Sequence, residues 1–141
     1  MMLLRPERLK GVHDQLCRII LDAVPSLPFD VQLIQGVRTI AEHQANLASG
    51  ASRAKYSRHV PEFNACKMSC AVDMAPLVSV NGKREIAWQH FDKFKLMDVA
   101  LTKSAAKLGL FIEWGHNFKG FKDTNHWQLP LRQYPRARGV A

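Results

Sequence analysis

The sequence predicts an α+β fold: one domain in which a small, mainly antiparallel sheet is packed with helices. Three observations lead there. Residues 6–24 and 88–108 carry apolar side chains at helical spacing. Short alternating or apolar runs lie between and after them. The length of 141 residues suits one ordinary domain, with a core over about 6–130 and a basic tail at 131–141.

In the first helical stretch, Leu9, Val12, Leu16, Ile19, Ile20 and Ala23 fall mostly three and four apart, and Pro25 and Pro28 end it. From Phe29 to Gln35 the chain alternates, with Phe29, Val31 and Leu33 on one face and Asp30 and Gln32 on the other, which predicts a strand. Thr39 followed by Glu42 has the spacing of a capping box, opening a helix that runs to about Ala48 and is stopped by Gly50. Residues 50–68 have no clean period and read as a long loop, a kind of segment that is often functional. Ala71–Ala75 is a short apolar strand carrying one carboxylate, Asp73, and Val78–Val80 is a second strand ending in an Asn81-Gly82 turn. The second long helix counts Phe91, Phe94, Val99, Leu101 and Leu108 among its apolar positions, with Gly109 as its C-cap. Phe111–Trp114 and His126–Leu129 are short strands on either side of a glycine-containing loop.

Composition narrows the partners without choosing one. A net charge of +8 and a pI near 9.8 imply attraction to a polyanion: nucleic acid, an anionic membrane or a phosphate-rich envelope. The basic residues are dispersed, apart from Arg132, Arg136 and Arg138, which read as a solvated terminus. No apolar run reaches the roughly 20 residues of a bilayer span, and the opening MMLLRPERLK does not read as a signal peptide. Three cysteines, Cys17, Cys66 and Cys70, cannot all pair within one chain, which argues for a reducing compartment and against a disulfide framework.

The chemistry-bearing residues cluster late in the chain. Of six histidines, His13, His43 and His90 lie in predicted helices beside polar neighbours and read as surface residues; His59, His116 and His126 lie in loops or at strand edges. Asp123-Thr124-Asn125-His126 sets a carboxylate three residues before a histidine at a loop-to-strand junction, where it can serve as a base beside a metal. Asp73, in an otherwise apolar strand, is costly to bury unless paired or metal-bound. With His59 these residues make a set of two histidines and one carboxylate, leaving a fourth position open as catalytic zinc requires. The bland alternatives are an edge-strand aspartate and packing or capping histidines, and spacing alone does not exclude them.

Four segments in order carry a resemblance: Gln35-Gly36-Val37-Arg38-Thr39, Ser57-Arg58-His59, Ala71-Val72-Asp73-Met74-Ala75-Pro76, and the stretch from Trp114 to Leu129 containing Asp123-Thr124-Asn125-His126. Together they resemble the LAS family of zinc peptidases, and within it the compact phage L-alanyl-D-glutamate endopeptidases. The resemblance implies a Hedgehog/DD-peptidase-like fold, with His59, Asp73 and His126 as ligands to Zn2+. It implies Asp123 as general base and proton donor to the leaving amine, and Arg38 as the group that holds substrate and stabilises the oxyanion. Ser57 would position His59 or the substrate. The implied protein is a monomeric endolysin acting on peptidoglycan, without membrane insertion or a specific nucleic-acid partner. It would be held in the host cytoplasm until release and act on the cell wall from the periplasm.

Departures from the family pattern leave alternatives open. His59 and Asp73 stand fourteen positions apart, where the family usually has them much closer, and Ser69 takes the place expected for a glycine. The extra residues can form a bulge over the site, or bring Cys66 and Cys70 to a metal as a separate structural site. Gln128 stands where a glutamate is common, and His116-Asn117 where Gly-Asp is common, which makes His116 either a polar group near the cleft or an exposed one. A D,D-carboxypeptidase or dipeptidase of the same family is the second enzyme expectation. A basic nucleic-acid-binding module is the third, although no helix-turn-helix or zinc-finger spacing is present.

Overall fold

Strand β2, Val31–Gln35, is flanked by β1, Leu3–Leu4, and by the ten-residue β3, Ala71–Val80. A computed structural model describes residues 1–52 and 54–140. The remaining elements are α1 (Asp14–Ala23), α2 (Ile40–Ser49), β4 (Lys83–Ile86), α3 (Phe91–Leu108), β5 (Glu113–Trp114) and β6 (His126–Gln128). The main sheet runs β1-β2-β3-β6-β5, and β4 pairs with the distal half of β3. Every pairing of named strands is antiparallel except β1 with β2.

The sheet has a core face because its strands alternate. Val31 and Leu33 of β2, Val72 and Met74 of β3 and Trp127 of β6 are fully buried, together with Leu16, Ile19 and Ile20 of α1 and Phe94, Met97 and Leu101 of α3. Trp127 sets the orientation of β6. Its indole stacks on Trp114 at 5.8 Å and donates to Asp98 Oδ1 at 3.2 Å. A one-residue slip would turn this side chain outward, forfeiting about 2–3 kcal/mol of burial, and would send His126 into the core. The same alternation therefore fixes which side chains β6 shows on its other face.

Several boundaries differ from the sequence reading, each for a local reason. The predicted helix over 6–24 is a 3-10 turn, Pro6–Leu9, followed by α1. Between them Gly11 turns with φ +82° and the backbone bonds to residue 69 instead of continuing as helix: His13 N donates to Ser69 O and Ser69 N to Gly11 O. The two short strands at 71–75 and 78–80 are one, β3. Pro76 is accommodated because Leu77 N donates to Asp30 O while Pro76 O accepts from Ala87 N. The Asn81-Gly82 turn is present, with both residues at positive φ as a hairpin of this length requires. Thr39 and Glu42 form the capping box, and Gly50 and Gly109 cap their helices. Val99 is exposed, since the buried positions of α3 are Phe94, Met97, Leu101, Ser104 and Ala105.

Two larger corrections concern the surface. His43 is buried, not a surface residue: the loop after α2 folds over it, Lys55 O lies 2.9 Å from its Nε2, and Phe63 meets its ring edge-on. Residues 134–137 are docked rather than solvated, while Arg132 and Arg138 are exposed as expected. Ala65 N donates to Pro135 O, Ala137 N to Phe63 O, and Tyr134 O accepts from Arg58. Neither was legible because both depend on the path of the loop between α2 and β3.

Gly36 follows β2 where the chain passes close to the turn at Arg8. A Cβ there would lie 2.2 Å from Arg8 O and 2.7 Å from a Val12 methyl. Gly36→Ala is expected to destabilise the fold by about 2 kcal/mol or more, lowering Tm by roughly 5–10 °C in thermal unfolding followed by circular dichroism.

Candidate metal centre and cleft

The bulge in β2 sets up the site. The register steps from Leu33↔Met74 to Gln35↔Asp73, with Ile34 as the extra residue, and Asp73 in turn pairs with His126. Gln35, Asp73 and His126 thus form a row across three adjacent strands. Gln128, two residues beyond His126, shares its face.

His59 reaches this row from the loop after α2. It is buried, its N–H donates to Ser57 Oγ at 3.2 Å, and its carbonyl accepts from Arg38 N at 3.0 Å. The long insertion beyond it closes on itself. Asn64, fully buried, donates to the carbonyls of Arg58, Val60 and Met68 and accepts from Arg58 Nη1 at 2.6 Å. Arg58 Nη2 bonds to Leu129 O and Tyr134 O, and Arg58 O accepts from Cys70 N. The fourteen-residue separation is therefore spanned by a bolted bulge, and His59 and Asp73 meet despite it. Ser69, where a glycine was expected, is fully buried with Oγ 2.9 Å from both Gly36 O and Ala71 O.

The hydrogen-bond pattern fixes the histidine tautomers. His59 Nδ1 lies 2.9 Å from Gly36 O, which can only accept, so Nδ1 carries the proton and Nε2 is free. His126 Nε2 lies 2.8 Å from Gln128 Oε1, while Gln128 Nε2 donates to Glu113 Oε1 at 2.7 Å. That chain orients the Gln128 amide, so His126 Nε2 donates and Nδ1 is free. Both free nitrogens lie 3.2 Å from Asp73 Oδ1. Three lone-pair-bearing atoms converging like this require a proton or a cation among them. Bonds of about 2.0–2.1 Å to a tetrahedral ion place ligand atoms roughly 3.3 Å apart, which matches the 3.2 Å from Asp73 Oδ1 to each nitrogen. Among the described residues, His59, Asp73 and His126 are the one group of three or more His, Cys, Asp or Glu able to hold a metal ion.

Electrostatics follow this geometry. Burial opposes ionisation of Asp73, yet His59 and His126 outweigh it and hold the carboxyl well below the usual carboxylate range. For His126, burial disfavours the cation, but Asp73 and Gln128 raise its basicity above the ordinary value. Asp123, 3.9 Å from His126 Nδ1, is pushed up by burial and by the charge of Asp73 against the pull of His126. Its position depends on Gly115, where a Cβ would lie 2.4 Å from Asp123 O. Asp123 N donates to Gly115 O, and Trp114 Nε1 to Thr124 O, so the loop folds back onto β5.

Arg38 completes the row. Its Nε and Nη2 both donate to Gln35 Oε1, its Nη1 to Ser57 Oγ, and its Nη2 lies 3.8 Å from Asp73 Oδ2. A cleft of about 270 Å³ opens above, lined by Arg38, Tyr56, His59, Phe118, Asp123 and His126 among others.

All five residues singled out in the sequence, Arg38, His59, Asp73, Asp123 and His126, come together here. Cys66 and Cys70 face each other at 3.6 Å between sulfurs, outside the metal group, and burial pushes the Cys70 thiol up to about 12. His116 packs against both Phe91 and Trp114 and meets Thr124 Oγ1, bracing the loop instead of lining the cleft. The sequence reading missed Glu113 and the docked Arg136. Glu113 became identifiable only through the β5–β6 register, which sets it opposite Gln128.

Within this small α+β fold, two histidines and a carboxylate beside the cleft form a possible metal-binding triad, a donor set of the kind metallopeptidases use. The chain belongs to the phage L-alanyl-D-glutamate peptidase family, whose model matches residues 4–128. It is similar to the L-alanyl-D-glutamate peptidase of Escherichia phage T5, with 28% identity over 120 residues covering 83% of this chain and 80% of that one. The crystal structure of the Serratia marcescens L-Ala D-Glu endopeptidase ChiX superposes with a TM-score of 0.78 at 28% identity, covering 96% of this chain and 94% of the other.

Gln128 links His126 to Glu113, and such outer partners set ligand basicity. Gln128→Leu is expected to weaken metal binding by about 10–100-fold in competition with a chromophoric chelator, without loss of fold.

Proposed function

We propose that this protein is a zinc-dependent endopeptidase that hydrolyses the L-alanyl-D-glutamate bond of peptidoglycan stem peptides. Family membership supports the substrate, and the convergence of His59 Nε2, His126 Nδ1 and Asp73 Oδ1 on one point carries the mechanism. These three residues hold the ion, and two histidines with one carboxylate and a remaining open position suit zinc. When bound, zinc lowers the pKa of a water toward about 7 and polarises the scissile carbonyl.

The other roles belong to the chain itself. Asp123, kept more basic than an ordinary carboxylate, accepts the proton of the attacking water and returns it to the leaving amine. Arg38 is held by Gln35 and Ser57 before substrate arrives, so its charge faces the developing oxyanion without reorganisation. The aromatic rings of Phe118 and Tyr56 wall the cleft.

We place its action at the cell wall as a monomeric phage endolysin, held in the host cytoplasm and released by a separate membrane-permeabilising protein. Among the described residues no helix is long and apolar enough to cross a membrane. The net charge of +8 suits attraction to an anionic envelope.

Mass spectrometry of purified peptidoglycan digested with the zinc-loaded protein tests this reading. The expected products are new L-alanine carboxyl and D-glutamate amino ends, abolished by chelation. Asp123→Asn should lower kcat by about 100-fold or more. Release of terminal D-alanine would move the activity to the carboxypeptidase branch, and intact peptidoglycan would contradict hydrolysis altogether.

A further inference from the structure

Among the described residues, Arg38, Arg58 and Arg136 are the arginines that line the cleft, and they are not equivalent. The guanidinium of Arg38 is engaged by Gln35 and Ser57. That of Arg58 is buried and bonded through Nη1 and Nη2 to Asn64, Leu129 O and Tyr134 O, with only its Nε lacking a partner. Arg136 has no ion pair and no side-chain hydrogen bond among the described residues, and its buried Nε has no partner.

This is an unfavourable arrangement for a cation. A buried guanidinium N–H without an acceptor is costly, and the charge of Arg136 lies close enough to be felt by Arg58. Arg136 is also fixed in place. Residues 135–137 pair with residues 63–65, with Ala65 N donating to Pro135 O, Ala137 N donating to Phe63 O, and Arg136 bridging Asn64. The insertion between His59 and Asp73 is what this segment docks on. Arg136 lies beyond residues 4–128, the span matched by the family.

The chemistry of the substrate supplies the missing acceptor. Glutamate has two carboxyl groups, and at most one of them continues the peptide chain. A stem peptide cut between alanine and glutamate therefore presents a free carboxylate a few bonds from the scissile amide, on the amine side. A guanidinium with a free Nε edge can take a carboxylate through paired N–H donors, a geometry that lysine or an amide does not reproduce.

We propose that Arg136 is the specificity-determining residue that binds the free carboxylate of the glutamate on the leaving side of the scissile bond. The inference rests on the endopeptidase reading above. It assigns the leaving side of the substrate to the docked C-terminal segment and the carbonyl side to Arg38.

The test uses two synthetic stem peptides that differ only in whether that glutamate carboxyl is free or a carboxamide. The zinc-loaded wild-type chain is expected to favour the acid by about 10–100-fold in kcat/KM. In Arg136→Gln the ratio should fall to within about twofold, mainly through a raised KM for the acid, and Arg136→Lys should lie between. Thermal unfolding checks that each variant is folded; if Arg136→Gln is not, the comparison of Arg136→Lys with wild type decides. Equal losses on both peptides with the ratio preserved would assign Arg136 a structural role and overturn the proposal. So would a wild-type enzyme that cleaves acid and amide equally. Failure of the wild type to cut either peptide at this bond would overturn the endopeptidase reading itself, and the proposal with it.

Discussion

The structure depends on one largely buried carboxylate. Asp73 sits in the middle of the sheet, between Gln35 of β2 and His126 of β6, with His59 facing it from the loop. An aspartate at such a position is tolerable only when its charge is neutralised. Both histidines direct a nitrogen at the same oxygen, Oδ1, and Arg38 approaches the other at 3.8 Å. Each histidine is in turn oriented from behind, His59 by Gly36 O and His126 by Gln128. Removal of any member leaves the others with uncompensated polarity, so the site is a cooperative unit and not a set of separate ligands.

The same requirement explains the departures from the family pattern. A glutamate at position 128 would face Glu113 across the β5–β6 pair, whereas glutamine donates to Glu113 and accepts from His126 at once. The insertion between His59 and Asp73 is tolerated because Arg58 and Asn64 tie it to the body of the fold on both sides of His59. Its outer surface then becomes the dock for the C-terminal segment, which brings Arg136 to the cleft. A feature that disrupts the motif spacing thus adds a wall to the binding site.

Much of this was legible in the sequence. The capping box at Thr39, the Asn81-Gly82 hairpin and the glycine caps are local signals, and each appears where its chemistry requires. Residue type and order singled out His59, Asp73, Asp123 and His126, the family resemblance implied their roles, and the structure brings the four side chains together. What escaped were features set by long-range packing. The break at Gly11 depends on pairing with Ser69, and the burial of His43 on the path of the following loop. The docking of residues 135–137 has no periodic signature at all, and a run of arginines beside proline reads as a tail until its backbone partners are known. Glu113 was invisible for the same reason, because its role is defined by the strand opposite it.

On the proposed reading, His59, Asp73 and His126 are arranged in advance to hold one metal ion with a position left open, without help from the cysteines. The visible absorption of the protein loaded with one equivalent of Co2+ tests this most directly. The expected result is one ion per chain and a four- or five-coordinate spectrum without thiolate charge transfer, abolished in His59→Ala and unchanged in Cys66→Ser. A thiolate band that disappears in Cys66→Ser, or binding that survives in His59→Ala, would contradict it.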